Sequence, residues 1–433
     1  MGMPHTRPFH SHRRAMATVI ALLLTVPLIR PGAVSGQSPT ALDGILSQVS
    51  GQRAYRHIVE IAQRIGPHVA GTPEDRMAGE YIARQLSGDG YVVEWQPFPF
   101  SYFVVRAVAL TVPSSPALVL HPHAMLYAPS TPDGGLTAEL VDVGLGRPDE
   151  IRGKSLAGKI ALIQRGGMTF RDKASNVAAA GAAGAVIYNF SPQDFQGIVG
   201  RDATIPVVSL SGTEGQSLLG LLRSGPVTAH VNVQAANEQR TSWNIIGTKV
   251  GFRDPHRVLV VGAHRDTVED APGANDNTSG VATALEVAEV LRRVPLALTV
   301  RFVFFGAEEY GLFGSEYYVQ HMGSDPVVGM VNLDMEGVGG RLQLARYRGR
   351  DDLVNAAAQT AGRLGIKVTV QSSDGSDHVS FERVGVPVVF LFRPDDPYYD
   401  TPKDTVDRVD PKLVEVSARL ATAIVIDLAG PSQ

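Results

Sequence analysis

Apolar and polar positions follow two different periods along this chain. In "AYRHIVEIAQRIG" (54–66) and "PEDRMAGEYIARQLSGDG" (73–90) apolar residues recur three and four apart, which predicts helices with one buried face. "YVVEWQPFPF" (91–100) then alternates as a strand does. From Asn244 onward the periods take turns. "RVLVVGAH" (257–264), "LTVRFVFFG" (298–306), "VVGMVNLD" (327–334) and "VPVVFLF" (386–392) are short apolar runs that predict buried strands. Between and after them, "SGVATALEVAEVLRRV" (279–294), "GSEYYVQHM" (314–322), "DDLVNAAAQTAGRLG" (351–365) and "DPKLVEVSARLATAIVIDLA" (410–429) predict helices. Apolar strands alternating with amphipathic helices imply an α/β fold: a mostly parallel central sheet with helices on both faces.

A stretch between these regions has another texture. Pro and Ser cluster in "VPSSPA" (112–117), and "APSTPDGG" (128–135) reads as a linker. From about 136 to 235 the chain runs strand, turn, small-residue helix, strand, as in "GKIALIQRGGMTFRDKASNVAAAGAAGAVIYNF" (158–190). It offers few catalytic groups and reads as a smaller module set into the larger one.

Length and composition narrow the picture. At about 150 residues per domain, 433 residues suffice for two or three. The hydrophobic fraction is 44% and the charged fraction 19%, enough apolar residue for a large core. Net charge is −4, and no basic stripe points to nucleic acid. Absence of cysteine excludes disulfides, thiolate metal sites and a cysteine nucleophile. At the start, Arg13 and Arg14 precede the apolar run "AMATVIALLLTVPLI" (15–29), and the small residues of "PGAVSGQ" follow. That order describes an export signal over residues 1–36, cut after Gly36. The run is shorter than the roughly 20 residues of a spanning helix. The mature protein is therefore expected outside the cytoplasm, with no lasting membrane insertion.

In such a sheet, ligands bind beyond the carboxyl ends of the strands. One strand ends at His264, with Asp266 just beyond it. The next ends in Ala307-Glu308-Glu309, and another at Asp334. Asp276 lies in the Asn-Asp-Asn turn that opens a helix, and His378 in the polar loop "SSDGSDHVSF". Carboxylates gathered without partners repel one another and are costly to bury. A cationic centre resolves this. Imidazole and carboxylate without thiolate suit zinc, and cobalt or manganese also fit. A pair of ions needs a bridging carboxylate, for which Asp276 is best placed. The "HPH" of His121–His123 shows the same spacing without such company.

Taken in order, "AHRDT", "GANDNTSG", "GAEEYG", "NLDMEG" and "SDHVSF" closely resemble the motifs of the di-zinc aminopeptidases of clan MH. The likeness covers the region from Asn244 onward and reaches back to "AGTPEDRMAGEYI". The middle segment resembles a protease-associated (PA) domain. The resemblance implies a catalytic domain in two parts, 37–130 and 236–433, around a β-rich PA domain at 131–235. It implies two zinc ions, one on His264 and Asp334 and one on Glu309 and His378, bridged by Asp276. Glu308 would be the general base and Asp266 would orient His264. Peptides would be the substrates. Where the family often carries "YHTPxDT", this chain has "YYDTPKDT", with Asp400 in the histidine's place. That leaves the ligands intact and puts substrate contacts near Tyr399 in question. A carboxypeptidase on the same scaffold would need a cation for the substrate's carboxylate, and Arg393 is the candidate. A glutaminyl-cyclase-like transferase and a non-enzymatic receptor module are further alternatives.

Overall fold

The computed structural model describes residues 39–113, 117–373 and 375–430. The proposed export signal lies outside them. Helices α1 (Pro39–Leu46) and α2 (Gly51–Ile58), a π-helical continuation over Val59–Ile65, and α3 (Pro73–Gly88) lead into β1 (Val92–Val112). The helical period of 54–66 is thus met by two kinds of helix, with Ile58, Ile61 and Ala62 buried.

The middle segment holds β2 (Leu118–Leu120), β3 (His123–Ala124), β4 (Leu136–Asp142), α4 (Pro148–Ile151), β5 (Ile160–Gln164), α5 (Phe170–Ala179), β6 (Gly184–Tyr188), β7 (Val207–Leu210) and α6 (Gly212–Ser224). Strands β4 to β7 run parallel and neighbour one another in sequence order. The chain returns through β8 (Thr228–Lys249) to the larger body. There β9 (Asp254–His264), α7 (Thr278–Leu291), β10 (Leu298–Phe305), α8 (Phe313–His321), β11 (Val327–Leu333), β12 (Leu342–Arg346), α9 (Asp352–Arg363), β13 (Val368–Ser372), α10 (His378–Arg383), β14 (Val388–Phe392) and α11 (Pro411–Ala429) follow.

The strand order is β13-β12-β14-β11-β9-β10-β8-β4-β5-β6-β7-β3. The pairs β14/β11, β11/β9 and β9/β10 are parallel, so β9, β10 and β11 deliver their carboxyl ends to one edge. Antiparallel pairing enters at β12/β14, β10/β8 and β1/β8, which makes the sheet mixed. The residues of β9 from Val258 to Ala263 are buried, as their unbroken apolar run requires for a strand covered on both faces.

Strands β1 and β8 form a two-stranded antiparallel ribbon paired from Val92↔Thr248 to Thr111↔His230, with one irregularity between Val105 and Ala107. The ribbon belongs to both bodies. The boundary expected at 235/236 falls inside β8.

Candidate active site

His264 closes β9 and is fully buried. Its Nδ1 lies 3.2 Å from the Asp266 carbonyl oxygen, which can only accept, so Nδ1 carries the proton. In the neutral ring Nε2 is then a lone pair. It faces Asp276 Oδ1 at 3.1 Å and Asp334 Oδ1 at 3.4 Å. Three acceptors pointing at one another need a cation between them. Burial alone would lower the His264 pKa, but the neighbouring carboxylates of Asp334, Glu308 and Asp276 carry it well above its ordinary value.

The carboxylates are fixed from behind. Ser376 donates to Asp334 Oδ2 at 2.7 Å, while Oδ1 has no hydrogen-bond partner. Asp276 follows Asn275, and the backbone amides of both donate to Asp404, at 2.9 and 2.8 Å. Asn277 caps α7 by accepting from the Gly280 amide at 2.9 Å, and its side chain donates to Leu333 O at the end of β11. The helix start thus sits against the strand end. A Cβ on Gly280 would lie 2.4 Å from that Leu333 oxygen, so this approach requires glycine.

Glu308 and Glu309 follow β10. Ala307 before them has φ +55°, and Met335 after Asp334 has φ +60°, sharp left-handed turns at two strand ends. The amides of Glu308 and Glu309 donate to the two carboxylate oxygens of Asp266, at 3.0 and 3.3 Å. Burial raises both glutamates well above the carboxylate range. Asp377 and Asp334 add to this at Glu308, Asp400 and Asp276 at Glu309. Glu309 Oε1 is buried without a hydrogen-bond partner.

Ligand atoms of His264, Asp276 and Glu309 all lie within 4.8 Å of one another. Asp334 adjoins them through His264. His378 is not in that group; it is buried at the start of α10, its ring stacks on Phe390 and its Nε2 lies 2.9 Å from Ser373 O. The orphaned oxygens of Glu309 and Asp334, and the acceptor-on-acceptor contacts of His264, fit bound zinc.

Asp266 meets His264 through its backbone. Its carboxylate lies 3.8 Å from His264 Nδ1 and is taken up by the two glutamate amides, while its carbonyl orients the ring. Arg393 is buried and donates to the carbonyls of Glu336 and Gly340, so it does not present its charge to a substrate. His121 pairs with Glu214. Asp404 and Asp396, which accepts from Asn275 Nδ2, support the Asp276 turn and were not singled out from sequence. Asp404 was visible only as the last acid of "TPKDT".

A parallel-strand edge bearing an imidazole, bridging-type carboxylates and an adjacent Glu pair defines a metallohydrolase centre. Comparison narrows this. Residues 244–425 match the model of peptidase family M28, and 136–218 match the PA domain. Aminopeptidase YwaD of Bacillus subtilis is 32% identical over 95% of this chain and 92% of its own length. The chain belongs to peptidase family M28. The probable lipoprotein aminopeptidase LpqL of Mycobacterium tuberculosis is 29% identical over 97% of this chain and 96% of its own. Among solved structures, an aminopeptidase from Aneurinibacillus sp. strain AM-1 superposes with a TM-score of 0.78 at 34% identity, covering 90% of this chain and 97% of that one. The zinc aminopeptidase BSAP of Bacillus subtilis gives 0.70 at 30% identity, covering 88% and 95%.

Proposed function

We propose that this protein is an exported di-zinc aminopeptidase that removes N-terminal residues from peptides. The observation that carries the reading is His264 Nε2 aimed at two carboxylates, with Glu308 and Glu309 held beside it by one aspartate. His264, Asp276, Asp334, Glu309 and His378 would hold the ions, with Asp276 between them. When bound, zinc supplies Lewis acidity that polarises the scissile carbonyl and acidifies water.

The chain's own groups do the rest. Glu308 takes a proton from the attacking water and returns it to the leaving amine. Asp266 fixes where that carboxylate stands, because it grips the Glu308 amide and not the side chain. Burial and the nearby Asp276 hold the Asp400 carboxyl beside Glu309 well above its ordinary value, and a substrate's free ammonium would favour its charged form. The PA domain stands beside the catalytic body, with the catalytic chain proposed as 37–130 and 236–433 and the export signal as 1–36. A carboxypeptidase loses its candidate cation, since Arg393 is committed to backbone carbonyls.

The test is a peptide pair. Acetylating the N-terminus should abolish cleavage, while amidating the C-terminus should leave the peptide a substrate. The reverse pattern would establish the carboxypeptidase. Removing metal with a chelator should abolish turnover, and two zinc ions per chain should restore it.

A further inference from the structure

Glu308 and Glu309 open onto a cleft of about 830 Å³. It has walls from both bodies: Arg171 and Arg201 from the PA segment, Glu316 on α8 and Arg383 at the end of α10 from the catalytic body. With its first residue at the metal site, a peptide must send the rest of its chain along this cleft.

On the walls away from Glu308 and Glu309 the charges do not balance. Arg201 Nη2 lies 3.4 Å from Glu316 Oε2, and Arg383 Nη1 lies 2.9 Å from Glu316 Oε1. Arg171 pairs with Asp202 at 3.3 Å. Two guanidiniums therefore share one carboxylate, and each meets it through a single nitrogen of a group with several N–H donors. The Arg201 guanidinium also lies 3.9 Å from the centre of the Phe313 ring, which holds its plane in place. The side chains of Arg201 and Arg383 are 49% and 54% exposed, so an incoming group can reach them. A bridge between the bodies needs only one arginine on Glu316. The second leaves a surplus cation facing the substrate path.

We propose that Arg201 and Arg383, set by Glu316, form a carboxylate-recognising subsite for the downstream part of the peptide. The favoured substrates are short peptides that present a C-terminal carboxylate or an acidic side chain there. Arginine suits this because its planar fork matches a carboxylate. The proposal rests on the aminopeptidase reading and adds the substrate class to it.

The experiment uses the zinc-loaded full chain with leucine p-nitroanilide, Leu-Gly-Gly, Leu-Gly-Gly-amide and Leu-Gly-Glu-amide. For the unaltered protein, KM for Leu-Gly-Gly-amide should exceed that for Leu-Gly-Gly by about tenfold, with kcat little changed. A low KM for Leu-Gly-Glu-amide extends the subsite to acidic side chains; a high one confines it to the chain terminus. The Arg201→Gln/Arg383→Gln double variant should bring the acid-to-amide ratio of KM near one. Arg383→Gln alone keeps the Arg201–Glu316 bridge and should lower the ratio part of the way. Arg223→Gln, on α6 outside the cleft, removes the same charge and should leave the ratio as it was. Equal KM for acid and amide in the unaltered protein, or a ratio that survives the double substitution, overturns the subsite alone. Failure to hydrolyse leucine p-nitroanilide overturns the aminopeptidase reading and the subsite with it.

Discussion

Arg265, one residue beyond His264, is fully buried and meets Asp75 of α3 at 2.6 Å. The same guanidinium donates to the carbonyls of Asp75 and Trp243. Asp75 Oδ2 accepts from the Gly71 amide and the Ser242 hydroxyl. An N-terminal helix start is thereby locked to the strand that ends in His264. Replacing Arg265 with Met leaves a buried aspartate without its cation, and Asp75→Asn leaves the arginine. Each should cost on the order of 3–5 kcal/mol in thermal or denaturant unfolding. Unchanged stability in both variants would remove this pair from the foundation of the site.

The two adjacent glutamates should separate cleanly. Glu308→Gln keeps shape but removes the carboxylate that moves the proton, so turnover should fall about 10²–10⁴-fold with zinc content unchanged. Glu309→Gln should instead lose zinc, as a neutral amide is a poorer ligand. Metal analysis beside steady-state rates reads both. The opposite pattern would exchange their roles.

Asp404 faces two backbone amides with two acceptor oxygens. In Asp404→Asn one of those oxygens becomes an NH₂ donor that opposes an N–H. The Asp276 turn should loosen, and zinc affinity should drop by about 10–100-fold in competition with a chelator. Affinity equal to that of the unaltered protein would detach Asp404 from the metal site.

His68 carries a pH dependence of stability. Burial lowers its pKa from 6.5 to about 4, only partly offset by the Gly66 carbonyl. Above pH 6.5 the ring is neutral in folded and unfolded chains and costs nothing. Between 6.5 and about 4 the unfolded chain binds the proton more readily, so stability falls as pH falls. The accumulated loss is roughly 3 kcal/mol, at about 1.4 kcal/mol per pH unit. Melting curves from pH 7 to 4 should therefore be shallower for His68→Asn than for the unaltered protein. Parallel curves would show that other groups govern acid unfolding.

Deleting 136–235 would remove the β8 partners of β1 from Val105 onward and leave that end of the ribbon bare. Replacing 106–234 by an Asn-Gly turn between Val105 and Ala235 keeps the pairs up to Val105↔Ala235. The second variant should be soluble and bind zinc, whereas the first should aggregate. Zinc binding by a soluble 136–235 deletion and not by the ribbon-preserving one would contradict the pairing argument.

The strand ends were legible because their apolar runs stop at ligand-type residues, and a parallel sheet sends such ends to one edge. His264, Glu308, Glu309 and Asp334 were read in this way, and Asp276 from the Asn-Asp-Asn turn ahead of α7. The hold of the Asp266 carboxylate on the Glu308 and Glu309 amides was not, because it depends on which backbone groups lie opposite it. Asp404 was hidden for the same reason: its partners lie well over a hundred residues away in sequence. The extent of β8 was obscured because "NVQAANEQRTSWN" (232–244) carries polar residues on a strand whose neighbour, not its own hydrophobicity, holds it straight.

The ribbon of β1 and β8 also fixes what kind of opening the cleft is. A hinged flap hangs on a few loop residues that absorb a change in φ and ψ. Here two long strands, cross-bonded along almost their whole length, carry the PA segment out from the sheet that ends in His264. Such a beam is interrupted only between Val105 and Ala107 and offers no run of loop residues to hinge on. The gap between Arg201 and Arg383 is therefore spanned by a paired ribbon and not by a linker, and a peptide would be gauged on entry by its own width and length.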